Sequence, residues 1–230
     1  MLTQESLAEV DNRVKQHYAP IIEQTDIGIV EDGIVDLQVY NAAKYKILWI
    51  LKEANEDGGD GGWSITKDLL AHIRDGNRIK SGLEKTFTKV IYTTFGILND
   101  YVFDGMDDIK DDPAMIDIIK SIGYINIKKQ PGKAIANHNE LKAHYERDKQ
   151  VVLYQIAQFN PDIIICGGTA NYILTDLGLS KADEQYSGEC NYWFNDNRLV
   201  IDIQHPNGRS SKTKYYVDGI VEAVRLTLGK

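Results

Sequence analysis

Four short, unbroken apolar runs constrain this chain more than any other feature. They are Lys46-Ile-Leu-Trp-Ile-Leu51, Ile122-Gly-Tyr-Ile-Asn-Ile127, Asp162-Ile-Ile-Ile-Cys166 and Arg198-Leu-Val-Ile-Asp-Ile203. A strand with one wet face alternates polar and apolar residues, whereas a continuous β-branched run belongs to a strand buried on both faces. Helical patterns separate the runs, at residues 66–74, 83–98, 113–120 and 139–159. Another opens the chain at 4–18, where Leu7, Val10 and Val14 fall on one face. Thr169, after Gly167-Gly168, caps a further helix through residue 177, and residues 215–228 form the last. Pro113 suits a first helical turn. Alternating helices and buried strands predict an α/β fold, a three-layer α/β/α sandwich around a central four-stranded parallel sheet. Residues 191–194, followed by Asn195-Asp196-Asn197, predict a hairpin into the fourth run.

At 230 residues, with no repeat, low-complexity tract or linker, the chain reads as one domain. Residues 1–45 are expected to be a helical N-terminal extension packed on it. The first residues have neither the basic start nor the apolar core of a signal peptide. No apolar run nears the roughly 18 residues of a membrane helix, so the expectation is a soluble, cytoplasmic monomer with no membrane partner. Two cysteines, Cys166 and Cys190, cannot make a disulfide framework, a four-cysteine zinc site or a cysteine-held iron–sulfur cluster. The net charge of −8, from 26 basic and 34 acidic residues, argues against indiscriminate nucleic-acid binding. A local basic patch remains compatible with it. Lys128, Lys129 and Lys133 form one basic cluster and Arg209, Lys212 and Lys214 another; a solvated face is the simplest reading of each.

In an open parallel sheet, ligands bind beyond the carboxyl ends of the strands. The first run is followed by Lys52-Glu53-Ala54-Asn55-Glu56-Asp57-Gly58-Gly59-Asp60-Gly61-Gly62-Trp63, which is acidic, glycine-rich and closed by an aromatic. No Gly-Lys-Ser/Thr follows these glycines and they lack dinucleotide-fingerprint spacing, so this is no nucleotide cradle of either kind. The second run contains Asn126, a polar amide that is costly to bury unless satisfied. The third ends in Gly167-Gly168-Thr169 and the fourth in Gln204-His205-Pro206-Asn207-Gly208-Arg209-Ser210-Ser211. The five histidines show no zinc-ligand spacing, so neither metal nor cofactor is expected.

Together, these four strand ends resemble the uracil-DNA glycosylase superfamily, most of all the branch whose first motif reads Gly-Glu-Ala-Pro-Gly. Lys52-Glu53-Ala54-Asn55-Glu56 stands in place of that motif. Ile125-Asn126-Ile127-Lys128-Lys129-Gln130-Pro131-Gly132 is similar to the family's Thr-Asn-Val-Val-Lys-Cys-Arg-Pro-Pro-Gly segment. The stretch from Pro161 to Ala170 resembles its third-strand segment, and His205-Pro206-Asn207 its His-Pro-Ser loop. The resemblance runs from about residue 46 to 225. It departs at Lys52, Asn55, Lys129 and Asn207, and it lacks the branch's iron–sulfur cysteines. Ala54 occupies the place of other branches' Asp or Asn general base.

The resemblance implies a sheet between helices and an enzyme that flips a deaminated or damaged base out of DNA and hydrolyses its glycosidic bond. Glu53 would orient water or stabilise the cationic sugar, and His205 would face the base carbonyl. Asn126 would bond the base edge, Trp63 would stack on the base, and Ala54 and Asn55 would border it. Arg209, Ser210, Ser211 and Lys128 would hold phosphates. An alternative is a nucleic-acid- or nucleotide-binding module of the same fold without activity. A hydrolase of nucleosides or other small molecules is a third.

Overall fold

The computed structural model describes residues 1–56, 58–133 and 135–229, so Asp57 of the acidic loop lies outside the described residues. In chain order the elements begin with α1 (Gln4–Thr25), β1 (Gly33–Ile34), α2 (Leu37–Ala42), β2 (Ile47–Leu51), β3 (Arg74–Asp75) and β4 (Arg78–Ile79). Next come α3 (Glu84–Asn99), β5 (Ile122–Asn126), α4 (His138–Phe159), β6 (Ile163–Gly167) and α5 (Ala170–Ile173). Strands β7 (Gln185–Ser187), β8 (Cys190–Asn195) and β9 (Arg198–Ile203) precede the last helix, α6 (Thr213–Leu228).

The four apolar runs are β2, β5, β6 and β9. They lie side by side and parallel in the order β5-β2-β6-β9. The sheet is nonetheless mixed and seven-stranded, which corrects the expectation of a four-stranded parallel one. Strand β1 joins β5 antiparallel, and β8 and then β7 extend the other edge antiparallel. The residues before the first run are therefore not a purely helical extension: α1 is joined there by β1 and α2.

Alternation along the strands explains the unbroken apolar runs. Ile47, Trp49 and Leu51 enter one core with Phe87, Val90 and Ile91 of α3 and Val217 and Ile220 of α6. Leu48 and Ile50 enter a second core with Val10 of α1, Leu141, Tyr145 and Val152 of α4, and Ile173 of α5. Each such side chain contributes about 1.5–3 kcal/mol when fully buried, so both faces must be apolar. The predicted hairpin forms: Asn195 pairs with Arg198 across a two-residue turn. Asp196 and Asn197 both have positive φ there (49° and 62°), as a turn matching the sheet's twist requires.

Three predicted helices are altered. The one expected from Thr169 to residue 177 is only Ala170–Ile173, and the Thr169 side chain does not cap it, because its Oγ1 donates to Ile50 O at 2.8 Å instead. Residues 66–74 become a single π turn (Ile65–Leu69), a 3₁₀ turn and the start of the β3–β4 hairpin. The stretch opened by Pro113 is a run of 3₁₀ turns to Ser121, whose buried Ile116 and Ile119 have the three-residue spacing of that helix.

Candidate functional site

The register brings four strand ends to one edge of the sheet. Leu51 lies opposite Asn126, Ile50 opposite Cys166, and Gly167 opposite Ile203. Beyond β2 and β5 the two chains stay zipped. Ile127 N–H donates to Leu51 O and Lys128 N–H to Lys52 O, each at 3.0 Å; Gly132 N–H then donates to Ala54 O at 2.9 Å. Sequence segments 52–56 and 128–132 therefore form one wall. Gly132 leaves the space that the Glu53 carboxylate fills, so a Cβ there would force that side chain to shift.

Glu53 is held in place by charge. Lys128 Nζ lies 2.8 Å from Glu53 Oε2 and 2.5 Å from Glu140 Oε1 at the start of α4. The Glu53 and Lys128 side chains are each only 6% exposed. Burial opposes the Lys128 charge, but its hydrogen bonds to Glu140 and Glu53 outweigh that and raise its pKa. Lys128 is thus engaged with two carboxylates rather than presented to a phosphate. Both residues border a cavity of about 390 Å³, with Glu56, Gly132, Lys133 and Glu140 among its other walls.

Asn126 is fully buried at the end of β5. Its backbone N–H donates to Asp32 Oδ2 at 2.7 Å, but neither Oδ1 nor Nδ2 of its side chain has a partner. Asp32 also accepts from Lys129 Nζ at 2.7 and 2.9 Å and from Gln155 Nε2 at 3.0 Å. Burial pushes the Lys129 pKa down while Asp32 pulls it up, the first effect prevailing. In the strand alternation Asn126 shares a face with Ile122 and Tyr124, which belong to the core that also takes Ala54 and flanks Trp63. Three of the expected base contacts thus share one side of the sheet. Trp63 Nε1–H donates to Glu56 Oε2 at 2.7 Å. Asn55 is exposed and bridges Gly132.

The loop after β9 is fixed from outside. Lys89 of α3, itself buried, donates to Gly208 O at 2.8 Å and to Ser211 O at 3.0 Å. His205 Nδ1 accepts from Asn207 N–H at 3.1 Å, which in the neutral imidazole puts the proton on Nε2. Burial, then the charges of Lys52 and Lys89, push the His205 pKa down to about 4, so the ring is neutral at physiological pH. Among the phosphate candidates, Arg209 is exposed, Ser210 Oγ donates to Gln204 Oε1, and Ser211 Oγ is turned to Lys212 O. Sequence reasoning missed Lys89 and Lys129. Lys89 shares its helical face with Lys85, Thr86, Tyr92 and Thr93, so nothing in the sequence marked it as buried.

This arrangement can present a donor, His205 Nε2–H, a carboxylate, Glu53, and an unsatisfied amide, Asn126, from the ends of β9, β2 and β5, with β6 lying between β9 and β2. The described cavity at Glu53 does not itself include Asn126 or His205. Among the described residues, no group of three or more His, Cys, Asp or Glu side chains is placed to hold a metal ion. The thiols of Cys166 and Cys190 are free, buried and pushed up to about 12 by that burial. No helix among the described residues is long and apolar enough to cross a membrane. No protein-family model matches the chain, and no curated protein matches it.

Proposed function

We propose that the chain is a uracil-DNA-glycosylase-like hydrolase, a three-layer α/β/α domain that cleaves the glycosidic bond of a deaminated base flipped from DNA. The observation that carries this reading is the Asn126 amide. A fully buried side chain with neither polar atom bonded stands against the usual rule that buried polar groups find partners. A base edge offering one donor and one acceptor would supply both missing bonds. The parallel order β5-β2-β6-β9, with helices packed on each face, supports the fold part of the proposal.

In this reading the C1′–N bond breaks and its electron pair leaves on the base, where it is delocalised onto a carbonyl oxygen. Neutral His205 donates its Nε2–H to that oxygen without having to give up a formal charge. Water adds to C1′, its proton passing to solvent through the Glu53 carboxylate, and the departing base takes a proton from solvent. Lys128, 2.8 Å from Glu53 Oε2, holds that carboxylate in place.

The same Lys128–Glu53 pair favours a second reading, a binding module in which Glu53 is wholly occupied by lysine. Oligonucleotides containing uracil, hypoxanthine or xanthine, single- and double-stranded, separate the two after alkali treatment. Strand breaks support the hydrolase; retardation in a gel without breaks supports the binder.

A further inference from the structure

Lys52 stands where the resembling motif has glycine, and the reading above gives it no task. It follows β2 directly, half-buried, and its side chain runs across Gly168 towards the loop of His205. A Cβ on Gly168, which has a φ of +71°, would stand 3.1 Å from Lys52 Cε, 3.5 Å from its Nζ and 3.4 Å from His205 N. The glycine at the end of β6 therefore leaves the space that the lysine stem fills, and Lys52 and His205 border the same point. Lys52 Nζ makes no ion pair or hydrogen bond among the described residues, in contrast to Lys128 and Lys129 on the neighbouring segment. A half-buried ammonium with no carboxylate lacks a counter-charge, and at the carboxyl edge of a parallel sheet a ligand is the natural source of one.

We propose that Lys52 and His205 act as one anion-receiving pair, with Lys52 a catalytic cation that takes up the negative charge of the departing base. The proposal rests on the hydrolase reading for the identity of the anion. The division of labour is chemical. His205, held neutral, donates one directed hydrogen bond, while Lys52 supplies the positive charge that a neutral imidazole cannot. The charged groups that face His205 are Lys52 from the end of β2 and Lys89 from α3. Lys89 is turned to the Gly208 and Ser211 carbonyls, which leaves Lys52 as the one of the two without a protein acceptor among the described residues.

The test uses the full chain with Lys52→Met and Lys52→Arg on two oligonucleotides, one carrying uracil and one 5-fluorouracil. Fluorine makes the leaving base more acidic, so its anion needs less help. Lys52→Met is expected to lose about 100-fold in turnover on uracil, the size seen when one oxyanion contact is removed. It should lose several-fold less on 5-fluorouracil, with binding changed little and with Lys52→Arg largely restored. An equal loss on both bases, or none, overturns the assignment while leaving the hydrolase reading intact. A wild-type chain that breaks none of the lesion-bearing strands overturns that reading, and the leaving-base role with it. Imidazole titration by NMR tests the pair independently of turnover. The His205 midpoint should rise in Lys52→Met, and an unchanged midpoint overturns the coupling.

Discussion

Lys128 Nζ bridges Glu53 Oε2, 2.8 Å away, and Glu140 Oε1, so one buried cation ties the loop after β2 to the first turn of α4. Glu53→Gln keeps the shape and an acceptor oxygen but removes the charge. Its turnover should fall by about 100-fold or more while oligonucleotide affinity stays within a few-fold, because the carboxylate acts on the reacting centre. Single-turnover cleavage alongside equilibrium binding measures both. A parallel drop in affinity and rate would mean that Glu53 serves binding instead.

Asn126 offers the sharpest separation of function from stability. Its side-chain polar atoms make no bonds within the protein, so Asn126→Leu should leave unfolding free energy within about 1 kcal/mol of wild type, yet abolish base recognition. Asn126→Asp places a carboxylate next to the buried Asp32 system and should cost several kcal/mol at neutral pH. Urea unfolding of both variants checks this. A strongly destabilised leucine variant would show that the amide is bonded in solution.

Arg209 is exposed, without an ion-pair partner among the described residues, at the tip of the His205 loop. Arg209→Ala should weaken oligonucleotide binding equally for all sequences and reduce the slope of log affinity against log salt by about 1. Titrations between low and moderate salt give that slope; an unchanged slope removes Arg209 from the contact surface.

Two groups give stability opposite pH dependences. His205, held down at about 4, is protonated less readily folded than unfolded, so its contribution is full above the ordinary histidine range. It is lost as pH falls from about 6.5 towards 4. Asp202, raised to about 6 by burial and then by Glu184, binds its proton more readily when folded, so its contribution is full in acid. That contribution is lost as pH rises from about 4 through 6. Asp202→Asn should therefore raise Tm relative to wild type above pH 6, and the difference should shrink towards pH 4. His205→Gln should flatten the decline of Tm on the acid side. Thermal melts from pH 4 to 8 read out both.

The central strands were legible because Ile, Val, Leu and Trp fill consecutive positions, a pattern that only burial on both faces explains. The edges were not. Strand β1 has two residues and β7 has three, mostly polar, too short for any period to register. Asn126 stood out in sequence because an amide in such a strand demands a reason. Lys128 and Lys129 were misleading as a basic cluster, since the acids that absorb their charge lie 12 to 97 residues away in the chain. Lys89 was hidden for a similar reason: the carbonyls it binds are more than a hundred residues further on.

Asp32, between α1 and α2, has a consequence for any attempt to shorten this protein. Its carboxylate holds the end of β5 through Asn126, compensates Lys129 and reaches Gln155 in α4. Cutting the chain just before β2 would strip that carboxylate away and strand an ammonium inside the sheet's edge, a loss of several kcal/mol from one side chain. The minimal foldable unit is therefore longer than the stretch bearing the strand-end motifs. A library of N-terminal deletions should show solubility collapsing abruptly once residue 32 is removed, rather than tapering with length.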